Sequence, residues 1–133
     1  MPDDLSLILQ FVERAQRARG EQTDQSWHAV AELWDEEVEI RVADGRTGGA
    51  TWRTTAKGRD KALRRLSRPE VNSARLRTTT VRSFESQEGG TVVVEQVSEI
   101  TSDDGTVTQV PVCHIFEVAE GRILRQSIYR NEA

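Results

Sequence analysis

The sequence predicts an α+β fold in which helices lie against one face of a curved antiparallel sheet. Three observations predict it. Apolar residues recur at steps of three and four near the start of the chain, and beyond Pro69 the chain turns into Val-, Thr- and Ile-rich runs parted by glycine-bearing turns. The third is size: 133 residues with 36% hydrophobic side chains suffice for one core, so a single domain over 1–133 is expected.

Leu5, Ile8, Leu9, Val12 and Ala15 form one stripe of a helix that runs to about Arg19, where Gly20 stops it. Thr23 or Asp24 can cap a second helix with Trp27, Val30, Ala31 and Trp34 on one face. After Asp35-Glu36-Glu37 the period becomes two, Val38, Ile40 and Val42 alternating with Glu39 and Arg41, as in a half-buried strand. Asp44-Gly45 opens a loop through Gly48-Gly49, and a short strand covers 52–55. Asp60 can cap a third helix carrying Ala62, Leu63 and Leu66, ended by Pro69. Strands at 75–84, 91–101, 106–118 and 122–130 then form a meander, divided by Glu88-Gly89-Gly90, Asp103-Asp104-Gly105 and Ala119-Glu120-Gly121.

Composition excludes several classes of function. With 18 basic against 22 acidic residues, a net charge of −4 and no basic run, the chain has no field that would attract nucleic acid. Apolar runs such as Val92-Val93-Val94 fall far short of the ~20 residues that span a bilayer, so no membrane partner is expected. The acidic start, Met1-Pro2-Asp3-Asp4, is unlike a signal peptide, and a cytoplasmic protein is expected. A single cysteine, Cys113, and two histidines argue against a disulfide or a metal site, and no cofactor is expected.

The order of elements, with Leu33-Trp34-Asp35-Glu36-Glu37-Val38, Lys57-Gly58-Arg59-Asp60, Phe116-Glu117-Val118-Ala119-Glu120-Gly121-Arg122-Ile123 and Tyr129-Arg130, resembles the nuclear transport factor 2-like (NTF2-like) superfamily, in particular its SnoaL-like and ketosteroid isomerase-like branches. The resemblance implies a cone-shaped half-barrel in which a curved sheet and three helices from the N-terminal half enclose an apolar cavity, usually in a homodimer. It implies no single reaction, since fold and function separate in widely used folds. By the resemblance, the isomerase general base falls on Val42, the tyrosine donor on Phe11, and the last-strand aspartate of SnoaL-like cyclases and limonene epoxide hydrolase-like enzymes near Ile128. Only the neutral-acid position, His114, remains titratable. A standard ketosteroid isomerase is therefore not expected. An isomerase-, cyclase- or hydratase-like acid/base enzyme without metal and a noncatalytic ligand-binding or dimerisation module both stay open.

Hairpin geometry assembles a cavity independently. Asp103-Asp104-Gly105 and Ala119-Glu120-Gly121 both fit three-residue loops with a G1 bulge. The second then sets Val110, Val112, His114 and Phe116 opposite Arg130, Ile128, Gln126 and Leu124, and the first sets His114 opposite Val94 with Gln96 diagonal. The inward face reads Val110, Val112, His114, Phe116 and Val118; Pro111, Cys113, Ile115 and Glu117 face outward. An unpaired histidine there would cost ~1–3 kcal/mol, so Gln96 and Gln126 are expected as partners, and burial would keep the ring neutral. Such a histidine either serves structure alone or acts as acid/base or hydrogen-bond anchor for a carbonyl or hydroxyl. A two-residue Asp104-Gly105 loop would instead bring Glu95 opposite His114.

Phe116 and Val112 complete the expected wall. Trp52 either covers a ligand at the rim or packs an edge, and Arg130 either clamps a carboxylate or pairs with Asp44 or a tail carboxylate. Arg59, Arg64, Arg65 and Arg68 read as a solvated basic face, His28 as surface, and Cys113 with Ile115 as part of a dimer surface.

Overall fold

The computed structural model describes residues 3–44, 51–67 and 76–130, apart from the side chains of Asp44, Thr51 and Arg130. The loop through Gly48-Gly49, the Pro69 stop and the expected strand start at Arg75 lie outside the described residues. The elements are α1 (Asp4–Glu21), α2 (Asp24–Ala31), β1 (Trp34–Asp44), β2 (Thr51–Lys57), α3 (Arg59–Leu66), β3 (Leu76–Glu85), β4 (Thr91–Thr101), β5 (Val107–Ala119) and β6 (Arg122–Arg130). The six strands make one sheet in the order β2-β1-β6-β5-β4-β3. Every neighbouring pair is antiparallel except β1 with β6, which is parallel because the chain returns its last strand beside its first. No helix among the described residues is long and apolar enough to cross a membrane.

Each end of α1 and the start of α2 follow from local chemistry. Asp3 caps α1 by accepting from the Ser6 N–H at 2.7 Å, and Thr23 caps α2 by accepting from the Ser26 N–H at 3.1 Å. Gly20 does not stop α1; the helix runs to Glu21, and Gln22 takes the left-handed conformation at φ 55°. Its side-chain amide donates to the Arg19 carbonyl at 2.7 Å, which offsets the cost of a non-glycine residue there. Asp60 is likewise not the cap of α3: Gly58 precedes the helix at φ 91° and donates its N–H to the Val38 carbonyl at 2.7 Å. Trp34, expected on α2, opens β1 instead. The preceding Leu33 carbonyl already accepts from Ile123 in β6, so the chain has joined the sheet by then.

The core lies between the helices and the inward face of the sheet. Ile8, Phe11, Val30, Trp34, Val38, Ile40, Val92, Val94 and Phe116 are buried there, and Phe11 meets Trp34 and Phe116 with ring centroids 5.8 and 5.6 Å apart. Their burial drives the packing at roughly 25 cal/mol per Å2 of apolar surface. The expected alternation on β4 and β5 holds: Val92, Val94 and Gln96 are buried while Pro111 is exposed.

The two hairpins divide on register. β4 pairs β5 with Val94 opposite His114 and Gln96 opposite Val112, as expected, so Glu95 points outward and its carboxylate meets Arg82 at 2.7 Å. The β5-β6 turn is shorter than expected. Glu120 and Gly121 both have positive φ, 53° and 73°, in a two-residue loop of the type I′ kind, and a bulge follows between Glu117 and Val118. The pairs are therefore Val112–Arg130, His114–Ile128 and Phe116–Gln126, two residues from those expected. A shift of two keeps every side chain on its face. Leu124 alone loses its expected place and is 41% exposed.

Candidate functional site

A pocket of about 130 Å3 opens where α1, the end of α3 and the inward faces of β1, β3, β4, β5 and β6 converge. Its apolar wall includes Phe11, Ile40, Val112, Phe116 and Ile128. Its polar groups are His114, Gln96 and Gln126 on the sheet, with Gln16, Arg19, Arg65, Thr78 and Ser98 around them. The pocket is thus more polar than the expected apolar cavity.

His114 is half-buried, and its ring stacks on Phe116 at 5.9 Å with 24° between the planes. Gln126, only 5% exposed, brings its amide nitrogen to 3.1 Å from His114 Nδ1. An amide nitrogen donates and cannot accept, so Nδ1 accepts and a neutral ring carries its proton on Nε2. The register explains how this contact forms: Gln126 sits opposite Phe116, the inward neighbour of His114, and reaches diagonally. Gln96, on the other flank, donates from its amide to Thr80 Oγ1 at 3.3 Å.

Of the residues the sequence singled out, His114, Gln96, Gln126, Phe116 and Val112 line this one pocket. Trp52 does not. It sits opposite Ala43, on the face away from Val42, where its ring meets Tyr129 at 4.8 Å and Arg41 lies 4.2 Å over it. Residues directly opposite on paired strands share a face, so Trp52 covers the outer side of the sheet. Arg130 pairs with Val112 in register, and its side chain lies outside the described residues. Cys113 faces outward, and burial, with the nearby Glu95, raises its thiol above the ordinary value, which leaves it a poor nucleophile. Val42, Phe11 and Ile128 are all buried, and the inward residues of β1, Trp34, Val38, Ile40 and Val42, include no carboxylate. Among the described residues, no group of three or more His, Cys, Asp or Glu could hold a metal ion.

Sequence reasoning passed over Arg19, Thr78 and Ser98, and it read Arg65 as part of a solvated face, whereas Arg65 is half-buried and lines the pocket. Arg19 had a readable signal: Phe11, Ala15 and Arg19 lie at i, i+4 and i+8, one line along α1. Burial pushes its guanidinium below the ordinary value. Thr78 and Ser98 face one another across β3 and β4, with Ser98 continuing the inward series of Val94 and Gln96.

The helices and curved sheet define the NTF2-like class of folds. Solved structures agree. An NTF2-like protein of unknown function from Burkholderia pseudomallei shares 20% identity at a TM-score of 0.66, over 95% of this chain and 92% of that one. The epoxide hydrolase/cyclase-like enzyme SalBIII, of pyran ring formation in the polyether salinomycin, shares 18% identity at 0.66, over 98% and 95% of the two chains. Bal32a, from a soil-derived mobile gene cassette, shares 19% at 0.64, over 95% and 92%. These likenesses concern the fold. No curated protein matches the chain. The model of the SnoaL-like domain matches residues 13–126, and the chain belongs to that family.

Proposed function

We propose that this chain, as one SnoaL-like unit over 1–133, binds or converts a compact, mostly apolar molecule bearing a carbonyl or hydroxyl, with His114 as the acid/base or hydrogen-bonding group and Gln126 orienting it. The contact between Gln126 Nε2 and His114 Nδ1 carries this reading. It favours the tautomer in which Nε2–H donates, suited to a ligand carbonyl or hydroxyl oxygen in a wall of Phe116, Val112 and Ile128. A base role would move the proton to Nδ1, which Gln126 could meet only by turning its amide oxygen to the ring. The pocket is small beside the roughly 300–1,000 Å3 of drug-sized sites, hence a compact ligand.

A noncatalytic binding module of the same fold is the second reading, favoured by apolar side chains at Phe11, Val42 and Ile128. His114→Phe separates function from pure structure. With an aromatic replacing the ring, the fold should persist while ligand affinity or turnover falls about tenfold to a hundredfold, as expected for one buried hydrogen bond. Destabilisation with unchanged affinity for the molecule that co-purifies, identified by mass spectrometry, would refute it. Turnover of a β,γ-unsaturated ketone, abolished by the same substitution, would refute the expectation that isomerase chemistry is absent.

We further read the outer sheet face as a homodimer surface. Val93 opposite Ile115 and Val97 opposite Pro111 leave apolar area between Glu95 and Glu117, each held by an arginine, Arg82 and Arg125. A stable pair would bury roughly 800 Å2 per partner. Light scattering that reports a 15.0 kDa monomer at micromolar concentration would dispose of this reading.

A further inference from the structure

The charged residues around the pocket have one sign. The whole chain is acidic by four charges, yet its described pocket lining contains Arg19 and Arg65 and no Asp or Glu. Each arginine stands in the last turn of its helix, where a cation complements the carbonyl end of the helix dipole. That complement would hold equally for an arginine in solvent, as at Arg64, which is exposed. It does not account for a guanidinium brought half inside on the line of Phe11 and Ala15.

Distances along the sheet give the pocket two ends. His114 is level with Val94, and Ser98, opposite Thr78, lies four residues further along β4, about 13 Å at the usual rise. The Gln16 amide donates to the Thr78 carbonyl at 3.2 Å, which fixes the Arg19 end of α1 against that second end. The inner end offers aromatic and aliphatic walls with one imidazole, and the outer end offers guanidinium and hydroxyl groups.

We propose that the ligand is a carboxylic acid, bound with its carboxylate at Arg19 and Arg65 and its apolar, oxygen-bearing body toward His114. This deepens the function proposed above and rests on it. A planar guanidinium matches a carboxylate bidentately, and such charge-assisted bonds are about twice as strong as neutral ones. Neither arginine is without a partner in the fold, so the ligand adds to the contacts already there. Burial already disfavours the charge on Arg19, and an incoming anion would relieve that cost.

Phenylacetate and its neutral twin phenylacetamide test this on the full chain, followed by amide NMR shifts of pocket residues. Wild type should bind the acid at least about tenfold more tightly, about 1.4 kcal/mol. Arg19→Gln and Arg65→Gln should each bring the ratio toward one, and Arg19→Lys should retain part of it. His114→Phe, at the end of the pocket away from the carboxylate, should leave the ratio unchanged. Equal wild-type affinities overturn this inference and leave the pocket reading standing, as does a ratio unmoved by Arg19→Gln and Arg65→Gln together. Binding of neither probe at millimolar concentration overturns both. If a glutamine variant unfolds, the wild-type ratio and Arg19→Lys still decide.

Discussion

The pairing of His114 with Gln126 makes a quantitative prediction through a double-mutant cycle. The contact is 3.1 Å long, toward the far end of the hydrogen-bond range, and both groups are neutral, which places it in the class worth about 0.5–1.5 kcal/mol net. His114→Phe removes the acceptor from an amide that is almost wholly buried, so its cost should approach that of an unsatisfied group, ~1–3 kcal/mol. Gln126→Leu leaves a half-buried ring that water can reach, and should cost less. The double variant leaves neither group stranded. Its destabilisation should fall short of the sum of the singles by about 1 kcal/mol, or roughly 3–5 °C in Tm for a chain of this length. Urea unfolding of the four proteins at neutral pH measures this. A neutral-pH coupling below about 0.3 kcal/mol would mean that the contact orients nothing. A coupling above about 3 kcal/mol would indicate a charged ring facing the amide oxygen, and would overturn the Nε2–H tautomer.

Three further perturbations probe other parts of the structure. Phe116→Ala should cost about 3–5 kcal/mol in denaturant unfolding, because Phe116 is 1% exposed and its ring packs on both Phe11 and His114; a loss below about 1 kcal/mol would contradict its place in the core. Trp52→Ala should leave ligand affinity unchanged and cost at most about 2 kcal/mol, since the ring is 37% exposed and meets Tyr129 and Arg41 outside the pocket. Weakened binding in that variant would restore Trp52 to the site. Asp104 accepts from the Ser102 hydroxyl and from the Thr106 N–H, and the Ser102 and Thr106 bonds lower its carboxyl to about 2. A lowered folded value stabilises above the ordinary 3.8 and is lost as pH falls through about 2, so Asp104→Ala should lower Tm at pH 6 and change it little at pH 2. An equal loss at both pH values would refute the assignment.

What could be read from the sequence followed periodicity, and what could not depended on turns and on charges out of pattern. The inward face of β5 was legible because Val110, Val112, His114, Phe116 and Val118 alternate with more polar neighbours, and a register shift of two cannot move a residue to the other face. The shift itself was not legible. Ala119-Glu120-Gly121 permits a three-residue bulged loop as readily as a two-residue turn, and Glu120 gives no sign that it will accept a positive φ. Trp52 was left open between ligand cover and edge packing for a related reason: its face depends on pairing with Ala43 across a glycine-rich loop of ambiguous length.

Arg19 is the more instructive omission. Its spacing from Phe11 and Ala15 puts it on the buried line of α1, while Gly20 suggested that the helix stops there. The structure places Arg19 at the pocket. A buried line that ends in a half-buried guanidinium breaks the local pattern without any gain to the core. Such breaks gather where a fold holds a ligand. The tryptophans show the opposite case: Trp27 and Trp34 drew notice by size, and both are core. In a family whose fold fixes no single reaction, a charge out of place on an apolar line says more about the occupant of the pocket than the bulk of its walls does.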